Sequence, residues 1–358
     1  MIDRPPAALV LADGEVFLGE AAGADPDDGI ATGEVVFNTS MTGYQEVVTD
    51  PSYAGQIVTF TNPHVGNYGA CGQDNEADHP TCRGIVVRDL ARRSSSWRAT
   101  EGFEDLLRRT GVAAMTGVDT RRLTRHVRRF GAMPAALGTA PTGELLAAAQ
   151  AEPGTAGRDL VSAATRPVPE AVGAGRVRFV AVDLGIKASV VDQLGALGRV
   201  EVVAASTSPG DILGREPDGV VLSNGPGDPS ALEGSIRMVR ELLGRIPILG
   251  ICLGHQLLGA ALGAPTYKLT FGHHGANHPV RDLATGRVEI TSQNHNYAVR
   301  VDDLAGVAVT HVSLNDGVIE GIEVPDAAAI GVQFHPEAAP GPHDARHHLA
   351  RFRELIDR

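Results

Sequence analysis

Cysteine, long apolar runs and net positive charge are scarce in this sequence of 358 residues. The three cysteines are an odd and sparse number, which fits a reducing cytosol better than a disulfide framework. No apolar run of about 18 residues occurs, and no basic N-terminal segment precedes an apolar one, so we expect neither a transmembrane helix nor a signal peptide. A net charge of −12 argues against a nucleic-acid binder that depends on phosphate contacts. We therefore expect a cytoplasmic protein with no membrane or nucleic-acid partner.

A phosphate-binding loop for ATP is also missing from the sequence. No Gly-x-x-x-x-Gly-Lys-Ser/Thr segment occurs, so the motif that holds ATP phosphates in many enzymes is absent. The length predicts two domains, and a hydrophobic content of 43% is sufficient for sizeable cores.

The first half of the chain, residues 1–150, predicts a β-rich α+β domain. Short apolar or alternating runs favour strands at 7–11, 16–18, 33–37, 56–61 and 84–87, and longer patterns favour helices at 104–110 and 120–130.

Two stretches of this half are polar enough to suggest exposed surfaces. Residues 37–69 are dense in Thr, Ser, Gly, Pro and Asn and predict long connecting loops. The second predicted helix carries five arginines, a charge run that usually forms a solvated face and less often docks a partner. These are Arg121, Arg122, Arg125, Arg128 and Arg129.

A change of pattern follows a segment rich in proline and glycine, residues 151–176, which predicts a linker. From 177 to 358, predicted strands at 179–184, 200–205, 219–222, 246–251 and 329–332 alternate with predicted helices at 188–197, 236–243 and 255–262. This alternation predicts an open, mostly parallel α/β sheet flanked by helices. Active sites of such sheets lie at the carboxyl ends of the strands.

Cys252 lies at one such strand end. Gly250 precedes it by two residues and Gly254 follows it by two, between an apolar strand and a helix. This layout is typical of a nucleophile elbow, in which a sharp turn projects one side chain above the sheet. A thiol at a helix N-terminus favours the thiolate, and the N–H of Leu253 is positioned to hold an oxyanion. An ordinary buried cysteine is the weaker alternative.

Two further strand ends carry polar motifs. Residues 223–229, Ser-Asn-Gly-Pro-Gly-Asp-Pro, have glycines that would let backbone N–H groups approach a ligand, although a plain surface turn is the alternative. After the strand at 329–332, His335 and Glu337 are two residues apart and therefore face the same way on an extended backbone. With Cys252 they form a candidate catalytic triad, in which Glu337 orients the imidazole that takes the thiol proton.

Other histidines and cysteines give weaker indications. Cys71 and Cys82 bracket His79, but their spacing matches no zinc motif. Two groups of three histidines also lie close together: His273, His274 and His278, and then His343, His347 and His348. We expect the first group to form a loop that lines or supports the site, and the second to face solvent at the start of the last helix. No metal site is predicted.

Three segments resemble the class I, triad-type glutamine amidotransferases: Gly-Ile-Cys-Leu-Gly-His-Gln at 250–256, Ser-Asn-Gly-Pro-Gly-Asp-Pro at 223–229, and Phe-His-Pro-Glu at 334–337. Other segments resemble the small subunit of carbamoyl-phosphate synthetase. They include Phe-Asn-Thr-Ser-Met-Thr-Gly-Tyr-Gln-Glu at 37–46, Thr-Asp-Pro-Ser-Tyr at 49–53, Asn-Pro-His-Val-Gly-Asn at 62–67 and Phe-Gly-His-His-Gly at 271–275. The resemblance extends over essentially the whole chain.

This resemblance implies roles for matching residues. Cys252 would be the nucleophile, His335 the general base and acid, and Glu337 its orienter, with oxyanion donors at Leu253 and Gly225. The residues that would bind glutamine are Ser52, Gly225, Gly227, Leu253, Gln256, Asn294, Asn296 and Tyr297. The family more usually has Gly and Phe at the last two positions.

The implied function is glutamine hydrolysis for a large ATP-dependent subunit, which makes carbamoyl phosphate from bicarbonate and ATP for arginine and pyrimidine biosynthesis. ATP and Mg²⁺ are expected on that partner and no cofactor in this chain. Residues 1–150 would dock the partner through residues 37–69 or, with lower weight, the arginine helix.

Three other functions are weighed against this one. A glutaminase subunit for anthranilate, GMP or CTP synthesis is disfavoured by the N-terminal domain. A peptide-cleaving cysteine hydrolase is disfavoured by the loop at 223–229 and the region of Ser52. A non-enzymatic assembly subunit is disfavoured by the intact Cys252, His335 and Glu337.

Overall fold

The computed structural model describes residues 4–166, 170–301 and 304–357. The chain forms two compact units. The first extends to Ala156 and includes Thr270–His274, and the second comprises Gly157–Leu269 and the chain from Gly275 onward. Among the described residues, no helix has both the length and the apolar character needed to span a membrane.

The first unit contains nine strands and four helices among its described residues. The strands are β1 (Pro6–Leu11), β2 (Val16–Gly23), β3 (Ile30–Asn38), β4 (Gln56–Phe60), β5 (His64–Val65), β6 (Gly84–Val86), β7 (Asp89–Leu90), β8 (Ala113–Thr116) and β9 (Met133–Gly138). The helices are α1 (Tyr44–Thr49), α2 (Phe103–Thr110), α3 (Thr120–Phe130) and α4 (Thr142–Ala151). Seven strands close into one sheet in the order β1-β2-β8-β6-β4-β3-β9, and β5 pairs with β7.

Helix α3 buries its apolar side chains and exposes its arginines. The Asp119 side chain accepts a hydrogen bond from the N–H of Arg122 at 2.9 Å and caps the helix N-terminus. Leu123 and Val127, one turn apart, are fully buried. All five arginines of the helix are exposed, as the charge run predicts for a solvated face.

The stretch 37–69 differs from the predicted long loops. It contains helix α1 and a 3₁₀ turn, Pro51–Tyr53. Several of its polar side chains are buried because they satisfy backbone groups. Gln45 donates to the carbonyl oxygen of Cys71 at 2.5 Å and accepts from its N–H at 3.0 Å. Thr49 likewise accepts from the N–H of Glu76 at 2.9 Å. Many polar side chains of residues 37–69 therefore form internal hydrogen bonds and do not lie on an exposed surface.

The second unit contains ten strands and six helices among its described residues. The strands are β10 (Glu170–Val172), β11 (Arg178–Asp183), β12 (Arg199–Ala204), β13 (Gly219–Leu222), β14 (Ile248–Ile251), β15 (Thr266–Asp282), β16 (Val288–Val299), β17 (Ala308–Ser313), β18 (Ile319–Val324) and β19 (Ala329–Val332). The helices are α5 (Val161–Ala164), α6 (Ala188–Leu197), α7 (Pro209–Gly214), α8 (Glu233–Leu242), α9 (Leu253–Ala261) and α10 (His347–Ile356).

One sheet orders all ten strands as β10-β12-β11-β13-β14-β19-β18-β17-β15-β16. The five strands from β12 to β19 pair in parallel, and β13, β14 and β19 are buried throughout. Alternate strand residues pack against different helices. One core contains side chains of α8 and α9, and another contains side chains of α6 and α10. Helices therefore cover both faces of the parallel part of the sheet, and the predicted fold class is confirmed.

The segment at 151–176, predicted as a linker, contains α5 and β10. Strand β10 pairs with β12 at the edge of the large sheet. Pro167 and Pro169, which contributed to the prediction, lie outside the described residues.

Candidate active site

Cys252 lies in a turn of one residue between β14 and α9. The helix begins at Leu253, two residues before the predicted start, because the strand turns into the helix without a connecting loop. The cysteine itself has φ 53° and ψ −104°. A positive φ is strained for a residue with a Cβ, and such strain is common where a functional side chain must be held in place.

The two flanking glycines are required by close backbone contacts. A Cβ at Gly250 would lie 2.6 Å from the carbonyl oxygen of Gly254, and one at Gly254 would lie 2.1 Å from the carbonyl oxygen of Leu222. Both distances are far below van der Waals contact, so only glycine allows the elbow to close. The elbow predicted from the sequence is therefore present in the structure.

His335 and Glu337 follow β19, the strand beside β14 in the sheet. Nδ1 of His335 lies 2.6 Å from Oε1 of Glu337, and both side chains are buried. The N–H of His335 donates to the carbonyl oxygen of Ser292 at 2.9 Å, which ties the triad to β16. Among the described residues, Nε2 of His335 has no hydrogen-bond partner, which leaves this nitrogen available for proton transfer.

Lys187, which was not among the predicted site residues, completes this arrangement. Its Nζ lies 2.9 Å from Oε1 of Glu337 and donates to the carbonyl oxygen of Ala339 at 2.5 Å. The lysine is buried and immediately precedes α6, just after the carboxyl end of β11. Its position after a predicted strand, in Asp-Leu-Gly-Ile-Lys at 183–187, was the available signal.

The charges of the site hold each other in place. Burial by itself would lower the pKa of His335, but the carboxylate of Glu337 and, next, the interaction with Cys252 outweigh it, and the pKa lies well above its ordinary value. Burial would likewise raise the pKa of Glu337, but Lys187 and His335 hold it far below the usual range. Glu337 is therefore a carboxylate throughout the neutral range, and His335 readily carries a proton.

The loop at 223–229 is not a plain surface turn, since Ser223 and Asn224 are fully buried. Ser223 accepts from the N–H of Leu184 at 3.0 Å, and Asn224 donates to the carbonyl oxygen of Gly185 at 2.9 Å. These side chains fasten the loop to the end of β11. A Cβ at Gly225 would lie 2.1 Å from the carbonyl oxygen of Leu184, so this position also requires glycine.

Asp228 holds the other end of this loop. Its carboxylate accepts from the N–H of Gly157 at 2.9 Å and from the hydroxyl of Ser230 at 2.7 Å. Burial opposes ionisation, but these hydrogen bonds, together with the Tyr297 hydroxyl, lower the pKa of Asp228. Gly227, with φ 95°, lies within this fastened segment.

Strand β16 and helix α9 contribute the other residues predicted to bind substrate in this unit. The Cys252 thiol donates to the carbonyl oxygen of Asn294 at 3.5 Å. Gln256 donates to the carbonyl oxygen of Tyr297 at 2.7 Å and to the Gln333 side chain at 3.1 Å. Asn294, Asn296 and Tyr297 are buried. The amide nitrogen of Gln256 is thus used within the protein.

Ser52, predicted to bind substrate from the N-terminal domain, lies in the 3₁₀ turn Pro51–Tyr53 of the first unit. Its N–H donates to Asp50 at 2.9 Å, and the residue is buried.

The weaker histidine and cysteine predictions have mixed outcomes. His273, His274 and His278 lie on β15, not in a loop, because the strand is longer than its composition suggests. His348 is buried, so the prediction that it faces solvent was wrong, whereas His343 and His347 are exposed. Among the described residues, no group of three ligand-type side chains includes Cys71, Cys82 or His79.

Two family models match the chain. The description "Carbamoyl-phosphate synthase small chain, CPSase domain" matches residues 9–137, and "Glutamine amidotransferase class-I" matches residues 180–355. The first match lies within the predicted N-terminal half, residues 1–150, and the second within the predicted C-terminal half, residues 177–358.

Similar proteins share the full length of the chain. The carbamoyl phosphate synthase small chain of Syntrophotalea carbinolica is 46% identical, over 98% of this chain and 98% of its own. The protein of the same name from Lactococcus lactis subsp. cremoris is 48% identical, again over 98% of each chain. A third, from Symbiobacterium thermophilum, is 48% identical over 97% of this chain and 98% of its own.

Proposed function

The chain belongs to the carbamoyl phosphate synthase small-chain family and carries its class I glutamine amidotransferase domain, and on this premise we propose that Cys252, His335 and Glu337 hydrolyse L-glutamine. The observation that carries the proposal is that an elbow cysteine and a buried imidazole follow the ends of two neighbouring strands. The elbow strand β14 is next to β19, and the interaction of His335 with Cys252 contributes to the raised pKa of the imidazole.

The first half-reaction forms a thioester. A carboxamide is a poor electrophile, so the attacking group must be a thiolate and the oxyanion must be stabilised. The Sγ of Cys252 attacks the side-chain carboxamide carbon, and the proton held by His335 passes to the departing nitrogen as ammonia leaves. Glu337 keeps Nδ1 of the ring protonated, so Nε2 is the nitrogen that exchanges the proton.

The oxyanion donors that we propose are the N–H groups of Leu253 and Gly225. Leu253 is the first residue of α9, and the first N–H groups of a helix have no acceptor within it. Gly225 lies in the loop fastened by Ser223 and Asn224, so its backbone is held still. Fixed donors stabilise charge that develops in the transition state without reorganisation.

The second half-reaction hydrolyses the γ-glutamyl thioester. Water attacks the thioester carbon, His335 takes a proton from it, and the Cys252 thiolate leaves as glutamate is formed. We propose that Ser52, Gly225, Gly227, Leu253, Gln256, Asn294, Asn296 and Tyr297 bind the substrate. The burial of most of these side chains supports contacts through backbone atoms in particular.

A large partner subunit would receive the ammonia, since the relatives are named small chains. We propose that this partner holds ATP and Mg²⁺, makes carbamoyl phosphate from bicarbonate for arginine and pyrimidine biosynthesis, and works with this chain as a heterodimer in the cytoplasm. Ammonium is not a nucleophile, so delivery of ammonia along an enclosed path is an advantage.

Two exposed side chains of the first unit support a docking role for residues 1–150. Met41 and Trp97 are 79% and 93% exposed, although large apolar side chains are usually buried. Their neighbours Thr42, Ser96 and Arg98 line one surface depression of about 270 Å³. Tryptophan and methionine are enriched in the centres of protein interfaces. This surface replaces the whole stretch 37–69 as the preferred docking site, and the arginine helix remains second.

Glutamine-dependent and ammonia-dependent synthesis, measured with and without the large subunit, test the function. The complex should make carbamoyl phosphate from either nitrogen source, and the complex with Cys252→Ser only from ammonia. Failure of the wild-type complex to use glutamine would contradict the proposal. Glutamine-dependent formation of anthranilate, GMP or CTP with another synthase would favour an alternative family role.

Paired surface variants test the docking site. Trp97→Ala and Met41→Ser should weaken binding of the large subunit, while Leu18→Ser, at a position 72% exposed on β2, should not. If all three variants bind the large subunit as tightly as the wild type does, this surface is not the docking site.

A further inference from the structure

A second cluster of ionisable side chains lies in the second unit, at the start of α10. It consists of Glu289 on β16 and of His347 and His348, the first two residues of the helix. One ligand atom of each residue lies within 4.8 Å of those of the other two. We propose that these three residues bind one divalent transition-metal ion of the zinc class, separately from the reaction with glutamine.

The distances within the cluster suit such an ion. Oε1 of Glu289 lies 3.4 Å from Nε2 of His347, and Oε2 lies 3.2 Å from Nε2 of His348. Zinc binds imidazole nitrogen and carboxylate oxygen at about 2.0–2.2 Å, which places neighbouring donors of a tetrahedron about 3.3–3.6 Å apart. The observed separations, one for each carboxylate oxygen, are close to these values, and the three ligand atoms all lie within 4.8 Å of one another. Seating the ion therefore requires the two imidazoles to move toward a common point beside the carboxylate.

The hydrogen bonding of His347 leaves one ring nitrogen for a metal ion. Its Nδ1 lies 3.0 Å from the carbonyl oxygen of Asp344, which can only accept a hydrogen bond, so Nδ1 carries a proton. Nε2, which faces the carboxylate of Glu289, is then the ring atom that can coordinate an ion. Donation of the second ring N–H to a backbone carbonyl is also the usual arrangement for metal-bound histidines.

A ring contact helps to hold His348 in place. The ring centroid of His311 lies 4.9 Å from that of His348, and the two rings meet edge to face. Metal binding uses the neutral form of an imidazole and the ionised form of a carboxylate.

An ion at this position would join β16 to α10. The N–H of Ile290 on β16 already donates to the side chain of Asp344, three residues before α10, at 3.1 Å. The side chain of His347 is 48% exposed, which leaves an entry path and a coordination position for water. The expected role is a structural clip that stabilises the second unit, since a ligand bound only by the native state raises its stability.

Cobalt(II) titration of the untagged full chain tests the proposal, since its absorption spectrum distinguishes nitrogen and oxygen ligands from thiolates. The chain carries Cys252→Ser so that the elbow thiolate cannot compete for the ion. One ion should bind with a spectrum of nitrogen and oxygen ligands. His347→Ala should weaken this affinity at least about tenfold, because even changes outside the ligand set cost about 10–100-fold. His343→Ala, at an exposed histidine four residues before His347, should leave it unchanged.

Two further readouts separate ligation from a general structural effect. Zinc should raise the Tm of the parent chain and of His343→Ala, but not that of His347→Ala. His347 is exposed, so its replacement should leave the fold intact. Glu289→Gln, of equal volume, should also lose the rise. The proposal is overturned if no ion binds, if His347→Ala binds like the parent chain, or if a thiolate-to-cobalt band places the ion on Cys71 or Cys82.

Discussion

Lys187 and Glu337 form a buried ion pair, in which Nζ lies 2.9 Å from Oε1. The same carboxylate oxygen lies 2.6 Å from Nδ1 of His335, so a single oxygen serves two cations. The carboxylate therefore does more than orient the imidazole. It also neutralises Lys187, which follows a different strand of the sheet, β11. The ion pair between Lys187 and Glu337 extends the proposed triad to four residues.

Replacing Lys187 should destabilise the protein. Lys187→Met leaves a buried carboxylate with one cation instead of two, and breaking a buried ion pair costs about 3–5 kcal/mol. Urea unfolding measures this difference. The chain's other lysine, the partly exposed Lys268, provides the control: Lys268→Met should cost no more than about 1 kcal/mol. Equal stability of the two variants would show that the ion pair contributes little.

The effect of Lys187→Met should depend on pH. The pKa of Glu337 is lowered in the folded protein, so its contribution to stability is complete above the ordinary value of 4.5 and is lost as the pH falls toward the folded-state pKa. Without the lysine this pKa rises, and the carboxylate becomes protonated at a higher pH. The stability difference between wild type and variant should therefore shrink as the pH falls below about 4.5. A difference that stays constant down to pH 3 would contradict the lowered pKa.

Replacing the proposed nucleophile should remove glutamine hydrolysis. A hydroxyl is a much poorer nucleophile than a thiolate at neutral pH, so Cys252→Ser should lower kcat by several orders of magnitude and leave the fold intact. Cys71→Ser, a matched change at another buried cysteine, should retain activity. An electrophilic glutamine analogue should label Cys252 and spare Cys71 and Cys82. Near-normal turnover by Cys252→Ser would exclude the assignment.

The two other triad positions should differ in their effects. His335→Asn removes the proton carrier, so its kcat should be nearly as low as that of Cys252→Ser. Glu337→Gln removes only the orienter and should be milder in kcat, but it should reduce stability more, because Lys187 loses its buried counter-ion. Steady-state kinetics and urea unfolding of both variants provide the comparison. Wild-type activity of His335→Asn would show that another group transfers the proton.

The sequence was sufficient for the parts of the site that depend on local pattern. The elbow around Cys252 could be recognised because strand, glycine, nucleophile, glycine and helix follow one another within a dozen residues. His335 and Glu337 could be paired because a spacing of two places them on one side of the chain. Buried apolar runs likewise predicted the parallel strands, since strands covered on both faces are apolar throughout.

Contacts between distant strand ends were not accessible in the same way. Lys187 reaches Glu337 across 150 residues of sequence, and a single lysine before a helix has no distinguishing pattern. His348 was predicted to face solvent because its burial depends on distant residues, His311 on β17 and Phe334 just after β19. Strand β15 was missed because its histidines and glycines lack the apolar alternation that predicts strands.

Mass spectrometry of the full chain, quenched with acid during turnover of glutamine, tests the central claim most directly. The account predicts a mass increase of one γ-glutamyl group, located on Cys252, sensitive to thiols as a thioester should be, and absent from Cys252→Ser. Amide-¹⁵N glutamine should release its label as ammonia in the same reaction. A glutamyl adduct on any other residue, or labelled ammonia released by Cys252→Ser at the wild-type rate, would contradict it.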